Sequence, residues 1–169
     1  VPQSETLCGG AALAMVLRYW GKPGVRADDF APLVEPGQAG IRTGALVKAV
    51  EGYGWTALPL TGTPAEIEDH LAQGRPVIAL IRAGSGSDHY VVLVAWANGR
   101  VIIHDPNAGP FRTIREGEFE TSWSRSGGWA LLVLPPRGTK EQGAPDPAAA
   151  DPPSPAAPDG CGAMVEAGI

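Results

Sequence analysis

The stretch QSETLCGGAALAMVLRYWG, residues 3–21, decides how the fold of this chain is interpreted. Its apolar residues recur at the spacing of an α-helix over residues 9–20, and Gly21 supplies a stop signal. Cys8 lies directly before two glycines, where this helix is predicted to begin. A cysteine in such a place is a buried core residue, half of a disulfide, a metal ligand or a nucleophile. The functional interpretation depends on that choice.

The composition is that of one soluble globular domain of ordinary size. The chain has 169 residues, of which 44% are hydrophobic and 18% are charged. A net charge of −5 argues against nucleic acid or an anionic membrane as the main partner. No apolar run approaches the roughly 18 residues that cross a bilayer. Because a start methionine and a signal sequence are both missing, we expect a processed form or an excised domain.

The chain contains only two cysteines, Cys8 and Cys161, which excludes a disulfide-rich scaffold. A bond between them is disfavoured because Cys161 belongs to a Gly- and Ala-rich tail. The sequence has no Cys-x-x-Cys pair and no other multi-ligand zinc spacing. We therefore expect no metal site and no cofactor.

The C-terminal part of the chain differs in composition from the rest. Residues 143–160 form a Pro/Ala/Asp run without a hydrophobic period, which is typical of an extended linker. We therefore predict a folded domain over residues 1–138, a Pro/Ala-rich linker over 139–160 and a tail over 161–169. We expect this tail to be disordered, the alternative being the truncated start of another element.

The hydrophobic pattern changes from helical to strand-like near Gly74. The first half is predicted to hold one strand at 55–60 among helices at 9–20, 27–33, 44–53 and 65–73. The second half is rich in β-branched residues and is predicted to hold a short helix or turn at 115–123 among strands at 76–82, 89–96, 100–105, 111–114 and 129–135. Helices followed by antiparallel strands indicate an α+β fold.

A nucleophilic role for Cys8 requires a lowered pKa, a base and donors for an oxyanion. The start of a helix favours a thiolate through its positive dipole and its free N–H groups. Gly9 and Gly10 are predicted to leave these N–H groups open to an approaching carbonyl, which a structural cysteine would not need. Against this, a lone cysteine is more often a core residue than a nucleophile.

Three histidines are candidate bases. His89 begins the most apolar strand and is expected at the end of the sheet, whereas His70 lies in a helix among charged residues and is expected at the surface. His104 neighbours Asp105 and is the alternative base. Asp105 ends a strand, so its carboxylate either orients a histidine ring, as in a triad, or closes the Asp-Pro-Asn turn. Core packing or surface exposure is the alternative role for each histidine.

The hairpin between these two strands decides whether His89 and Asp105 can meet. A two-residue Asn98-Gly99 turn would pair position 92 with 105 and place His89 and Asp105 on opposite faces. A three-residue loop with a left-handed Gly99 and a bulge would pair position 91 with 105 instead. The two residues would then be diagonal neighbours on one face. We therefore predict a bulged or odd-length hairpin.

Gln3 lies five residues before Cys8. Its side-chain amide is a candidate donor to an oxyanion, together with the backbone N–H of Cys8. From the residue alone, an ordinary surface glutamine near the terminus is the simpler interpretation.

Several pieces of the chain together resemble the bacteriocin-processing, or double-glycine leader, cysteine peptidases of the papain-like superfamily. They occur in the family's order and read QSETLCGGAALAMVLRYWG, DHYVVLV, VIIHDPNAG, FETSW and GWALLVL. The resemblance implies a papain-like α+β fold, in which an N-terminal helix carrying the cysteine packs on an antiparallel sheet carrying His and Asp. It implies that Cys8 is the nucleophile, His89 the general base and acid, Asp105 the residue that orients His89, and Gln3 part of the oxyanion hole.

The same resemblance implies a bacterial cysteine endopeptidase that acts through a thioester, with cleavage after small residues such as Gly-Gly or Gly-Ala. Many family members are fused to an ABC exporter, whereas this sequence has no exporter segments or ATPase motifs and leads into a linker. Many also carry an acidic or polar residue where this chain has Leu7. We expect a monomeric domain, free or tethered within a larger chain, that acts on a peptide or protein substrate. The sequence leaves open whether it is exported or cytoplasmic.

Two other functions remain open from the sequence. A papain-like triad also supports an amidase or acyltransferase that acts on a non-protein amide. The third function is a non-catalytic peptide-binding module attached to a larger protein. The joint presence of Cys8, His89 and Asp105 argues against that module, because an inactive site need not keep all three.

Overall fold

The computed structural model describes residues 7–36, 39–82 and 86–137. Gln3, the predicted linker 139–160 and the tail 161–169 lie outside these ranges. In the ranges described, helices and strands follow the predicted α+β order. None of the helices in them is long and apolar enough to span a lipid bilayer.

The described ranges contain the helices α1 Cys8–Tyr19, α2 Thr43–Gly52, α3 Pro64–Ala72 and α4 Glu116–Ser124, together with a 3-10 helix at Ala27–Leu33. Local chemistry sets where these helices begin. At α3, for example, the Thr63 side chain accepts the backbone N–H of Glu66, and Pro64 occupies the first turn. The segment for which the sequence allowed either a turn or a short helix is the helix α4.

One antiparallel sheet organises the second half of the fold and includes one strand from the first half. Its strands are β1 Thr56–Thr61, β2 Val77–Arg82, β3 Asp88–Ala97, β4 Arg100–Asp105, β5 Gly109–Arg115 and β6 Trp129–Leu134. They lie in the order β1-β6-β2-β3-β4-β5, and all neighbours are antiparallel. Strand β3 therefore lies directly beside β4. His89 is the second residue of β3, and Asp105 is the last residue of β4.

Side chains of β3 alternate between two hydrophobic cores, one on each face of the sheet. Tyr90 and Val92 belong to the core shared with α1, α2 and the 3-10 helix. Val91 and Leu93 belong to the core shared with α3 and α4. The sheet is thus the middle of three layers, and α1 packs directly on β3.

The prediction that Gly9 and Gly10 leave an open amide surface is wrong, because both residues are buried. A Cβ on Gly9 would lie 3.1 Å from carbons of the Tyr90 ring. A Cβ on Gly10 would lie 2.9 Å from the carbonyl oxygen of Ala27 and from Cβ of Phe30. The pair therefore lets the first turn of α1 approach β3 and the 3-10 helix closely, and this close packing fixes the position of Cys8.

The substitution Gly10→Ala is expected to destabilise the fold by about 1–3 kcal/mol, because the added methyl group meets backbone as well as side chain. Urea unfolding followed by circular dichroism measures this change. The matched control is Gly44→Ala in α2, where no atom lies within 4 Å of the added Cβ. This control should be neutral or stabilising by up to about 1 kcal/mol. Equal destabilisation by both variants would contradict the packing argument.

Candidate active site

The turn of the β3–β4 hairpin is tighter than predicted. Asn98 and Gly99 have φ angles of 54° and 69°, and Ala97 pairs with Arg100 across them. This is the two-residue turn that Asn-Gly favours, since both central residues take a left-handed conformation. The prediction of a three-residue loop at this turn is therefore wrong.

A β-bulge inside β3 supplies the change of register that the turn does not. Pairing with β4 slips by one residue after Leu93, so that Val92 lies opposite His104. When this register is continued by one position, Val91 lies opposite Asp105. This is the register predicted for a bulged hairpin. His89 and Asp105 consequently lie on one face as diagonal neighbours.

His89 and Asp105 are joined by a short hydrogen bond, with 2.7 Å between Nε2 of the ring and Oδ1 of the carboxylate. Their side chains are only 17% and 9% exposed. Because Nε2 is engaged by Asp105, Nδ1 is the ring nitrogen left for Cys8, to which His89 is also hydrogen-bonded. Burial lowers the pKa of His89, but these two hydrogen bonds outweigh burial and raise the pKa above its ordinary value.

Cys8 is the first residue of α1, and only 3% of its surface is exposed. Burial raises the pKa of its thiol. The hydrogen bond with His89, the backbone N–H groups of Tyr90 and Gly9 and the charge of His89 act in the opposite direction and leave the pKa below its ordinary value. Cys8 is therefore a core residue by its packing and, at the same time, a thiol whose thiolate form is stabilised.

The Asp105 carboxylate accepts hydrogen bonds on both oxygens. Besides His89, Oδ1 accepts the backbone N–H of Asn107 at 2.9 Å, and Oδ2 accepts Nη1 of Arg112 at 2.9 Å. Burial raises the pKa of Asp105, but these donors and the charge of His89 lower it below its ordinary value. Both roles considered for Asp105 are thus present, since it closes the Asp-Pro-Asn turn and holds the histidine ring.

Arg112 is the contact of this site that the sequence analysis missed. It lies on β5, beyond Asp105 in the chain, and reaches back to that carboxylate. The alternation of side chains along a strand predicts which residues share a face with Arg112, but it does not predict which residue of β4 the arginine contacts. Its contact with Asp105 depends on a second register irregularity, between Ile103 and Asp105, for which the sequence has no clear signal. An arginine on the strand that follows an aspartate was the one available hint.

The histidine partner of the Cys8 thiol is His89. His104, the alternative base, instead accepts the backbone N–H of Phe111 on its Nδ1 at 3.1 Å. His70 lies on α3. It is half-buried, so the prediction that it lies at the surface is wrong. Its Nδ1 is buried without a hydrogen-bond partner among the residues described. Gln3, the predicted oxyanion donor, lies outside the described residues.

The arrangement as a whole is a relay of hydrogen bonds from thiol to imidazole to carboxylate. A lowered thiol pKa beside a raised imidazole pKa favours a thiolate–imidazolium pair, which is the reactive form of a nucleophilic cysteine. In the ranges described, no group of three or more His, Cys, Asp and Glu side chains is placed to hold a metal ion. The chemistry that this arrangement supports is acyl transfer to sulfur.

Comparison with known proteins gives the family of the chain. A family model described as the Peptidase_C39 like family matches residues 1–131. The chain belongs to this family. The resemblance drawn from the sequence motifs is thereby confirmed. A search of curated protein sequences gave no significant match.

Solved structures related to this Peptidase_C39-like chain share its fold. The peptidase domain of Streptococcus ComA, a bi-functional ABC transporter involved in a quorum-sensing pathway, has a TM-score of 0.66 and 21% identity over 80% of this chain and 94% of that chain. A C39-like peptidase structure from Bacillus anthracis has the same TM-score and identity, over 79% of this chain and 91% of that one. The predicted papain-like α+β fold is confirmed.

A third structure is a double glycine motif protease from an AMS/PCAT transporter, in complex with its leader peptide. It has a TM-score of 0.61 and 28% identity, over 80% of this chain and 89% of that chain. The family assignment therefore rests on the sequence model, and the fold assignment is supported by several structures.

The substitution His89→Gln is expected to raise the pKa of Cys8, because burial remains while the hydrogen bond and charge of His89, which lower this pKa, are lost. At pH 7, alkylation of Cys8 by iodoacetamide should slow at least about tenfold, since less thiolate is present. Mass spectrometry of the Cys8 peptide measures this rate separately from Cys161.

The matched control is His70→Gln, because His70 is a histidine on α3 and not the partner of the thiol. In this variant, Cys8 should be alkylated at the wild-type rate. An unchanged rate in His89→Gln would mean that the imidazole does not tune Cys8.

Proposed function

We propose that this Peptidase_C39-like domain is a cysteine endopeptidase in which Cys8 is the nucleophile, His89 the general base and acid, and Asp105 the residue that orients His89. The observation that carries the proposal is the relay from the Cys8 thiol through His89 to Asp105, with 2.7 Å between the histidine and the carboxylate. Each group is supplied by the end of a helix or strand, and each has a pKa shifted in the direction that its role requires.

In the first step the Cys8 thiolate attacks the carbonyl carbon of a peptide bond, and the carbonyl oxygen becomes an oxyanion. The first N–H groups of an α-helix have no acceptor inside the helix, so the backbone N–H of Cys8, at the first residue of α1, is the main-chain donor proposed for this oxygen. We further propose Gln3 as a side-chain donor to the same oxygen, because it lies a few residues before the nucleophile. The intermediate is thus stabilised where its negative charge develops.

In the second step the intermediate collapses as the carbon–nitrogen bond breaks. Protonated His89 gives its Nδ1 proton to the leaving amine, and the acyl group stays on Cys8 as a thioester. His89, now neutral, takes a proton from water as that water attacks the thioester. The thiolate leaves, the carboxylic acid product departs, and the thiolate–imidazolium pair is restored. Asp105 keeps the ring oriented and stabilises its charge throughout.

The burial of Cys8 supports a preference for small residues at the scissile bond. Only 3% of Cys8 is exposed, so a substrate backbone must approach closely before its carbonyl reaches the sulfur. A bulky side chain beside that carbonyl would hinder this close approach, whereas glycine has no Cβ to obstruct it. We propose cleavage after small residues such as Gly-Gly or Gly-Ala. The 28%-identical relative described as a double glycine motif protease supports this choice.

We also propose that the domain works as part of a larger chain, tethered through the Pro/Ala-rich segment that follows it. Support comes from two related structures, one described as the peptidase domain of an ABC transporter and the other as a protease from a transporter. The peptide or protein substrate would then be delivered near the site at a raised local concentration.

Peptide cleavage should be lost, by at least about 10³-fold, when Cys8 is replaced by Ala. A library of peptides is incubated with the wild type and with Cys8→Ala, and the products are identified by mass spectrometry. The expected products end in a small residue at the new C-terminus. Cys161→Ala is the matched control, because it removes the other cysteine of the chain and should leave cleavage unchanged.

The alternative functions give different results in the same experiment. An amidase or acyltransferase would leave peptides intact while Cys8 still reacts with iodoacetamide. A non-catalytic binding module would retain peptides without cleaving them, and Cys8→Ala would bind as the wild type does. Cleavage that survives in Cys8→Ala would contradict the proposal outright.

A further inference from the structure

The Asp105 carboxylate is shared between a histidine and an arginine. Arg112 Nη1 lies 2.9 Å from Oδ2, on the carboxylate oxygen that His89 does not use. The Arg112 side chain is 49% exposed, whereas the carboxylate it contacts is only 9% exposed. The partly exposed Arg112 guanidinium therefore offsets part of the negative charge of the buried Asp105 carboxylate, on the side away from His89.

A strained stretch of β5 leads into Arg112. Phe111 has a φ of 55°, a left-handed conformation that is costly for an aromatic residue. Two contacts with His104 hold it there: the Phe111 N–H donates to Nδ1 at 3.1 Å, and the two rings meet edge-on at 4.6 Å. The pairing of β4 with β5 is irregular over the same residues, between Ile103 and Asp105. The chain thus adopts an unfavourable backbone immediately before the arginine that reaches Asp105.

Among the residues that the structure describes, two ionisable groups are hydrogen-bonded to His89. They are Cys8 from α1 and Asp105 from β4. The neighbouring Asp88 is paired with Arg82 at 2.8 Å, so their charges largely cancel. Arg112 is the cation that contacts Asp105 directly, so it can oppose the effect of this carboxylate on the imidazole ring.

We propose that Arg112 is a positioning residue of the site, which acts through Asp105 and limits how strongly the carboxylate favours the protonated form of the His89 ring. This inference rests on the proposed function, in which protonated His89 must give its Nδ1 proton to the leaving amine. An imidazolium facing an unshared buried carboxylate would be a weaker acid than the reaction needs. The hydrogen bond from the Asn107 N–H to Oδ1 holds the carboxylate beside the ring, so Arg112 contributes mainly charge.

The test is an NMR titration of 15N-labelled histidine in the full chain, with Cys8→Ser present so that the thiol does not titrate together with the ring. The chain has three histidines, and His89→Gln assigns the signal. Arg112→Met should raise the titration midpoint of His89 by about half a pH unit, because a half-exposed cation several ångströms away has been removed. Arg112→Gln, which keeps a hydrogen-bond donor without a charge, should raise it equally.

Two controls separate the charge of Arg112 from a merely structural role. Arg112→Lys keeps the charge and should leave the midpoint near its wild-type value. Arg115→Met removes the same charge from the far end of β5 and should not move it. A midpoint that is unchanged or lowered in both Arg112→Met and Arg112→Gln, or an equal rise in Arg115→Met, would overturn the inference.

The titration requires no turnover, so it can fail independently of the proposed function. If the wild type cleaved no peptide, the peptidase proposal would be contradicted. The titration midpoint of His89 would still show whether Arg112 acts on the ring. If the peptidase proposal holds, Arg112→Met should also move the alkaline limit of kcat/KM upward by the same amount. A fall in activity with both pH limits unchanged would instead indicate a structural role and contradict the inference.

Discussion

The hydrogen bond between His89 and Asp105 is the interaction on which the rest of the site depends. Its 2.7 Å length requires two neighbouring strands to present these residues on one face. A tight Asn-Gly turn alone would separate them, and the bulge after Leu93 restores the necessary register. A single extra residue in β3 therefore determines whether the imidazole can be held by a carboxylate and aimed at Cys8.

The thiol shows how a buried cysteine can have a lowered pKa. Burial opposes the thiolate, so Cys8 in an apolar core without partners would be inert. Backbone N–H groups of Gly9 and Tyr90, together with the imidazole, reverse that balance. Tyr90 contributes twice, since its ring also fills the space that a side chain at Gly9 would need. The same close packing of α1 on β3 thus stabilises the fold and brings the thiol to its partners.

The fold could largely be predicted from the sequence, and the candidate site in part. Helical and strand periodicities are strong in this chain, and Cys8, His89 and Asp105 stand at element ends where local signals are clearest. The position of the bulge could not be predicted, because Val94 is a β-branched residue that suits a regular strand. The packing role of Gly10 and the contact of Arg112 depend on tertiary neighbours, which no local pattern specifies.

The most direct measurement of the central claim is to trap the acyl group on the chain. A peptide nitrophenyl ester ending in Gly-Gly is mixed with the protein, the reaction is quenched with acid, and the adduct is located by peptide mapping. We predict a burst of about one equivalent of nitrophenol and a hydroxylamine-sensitive acyl group on Cys8. The absence of an adduct, or an acyl group on Cys161 rather than Cys8, would contradict this account.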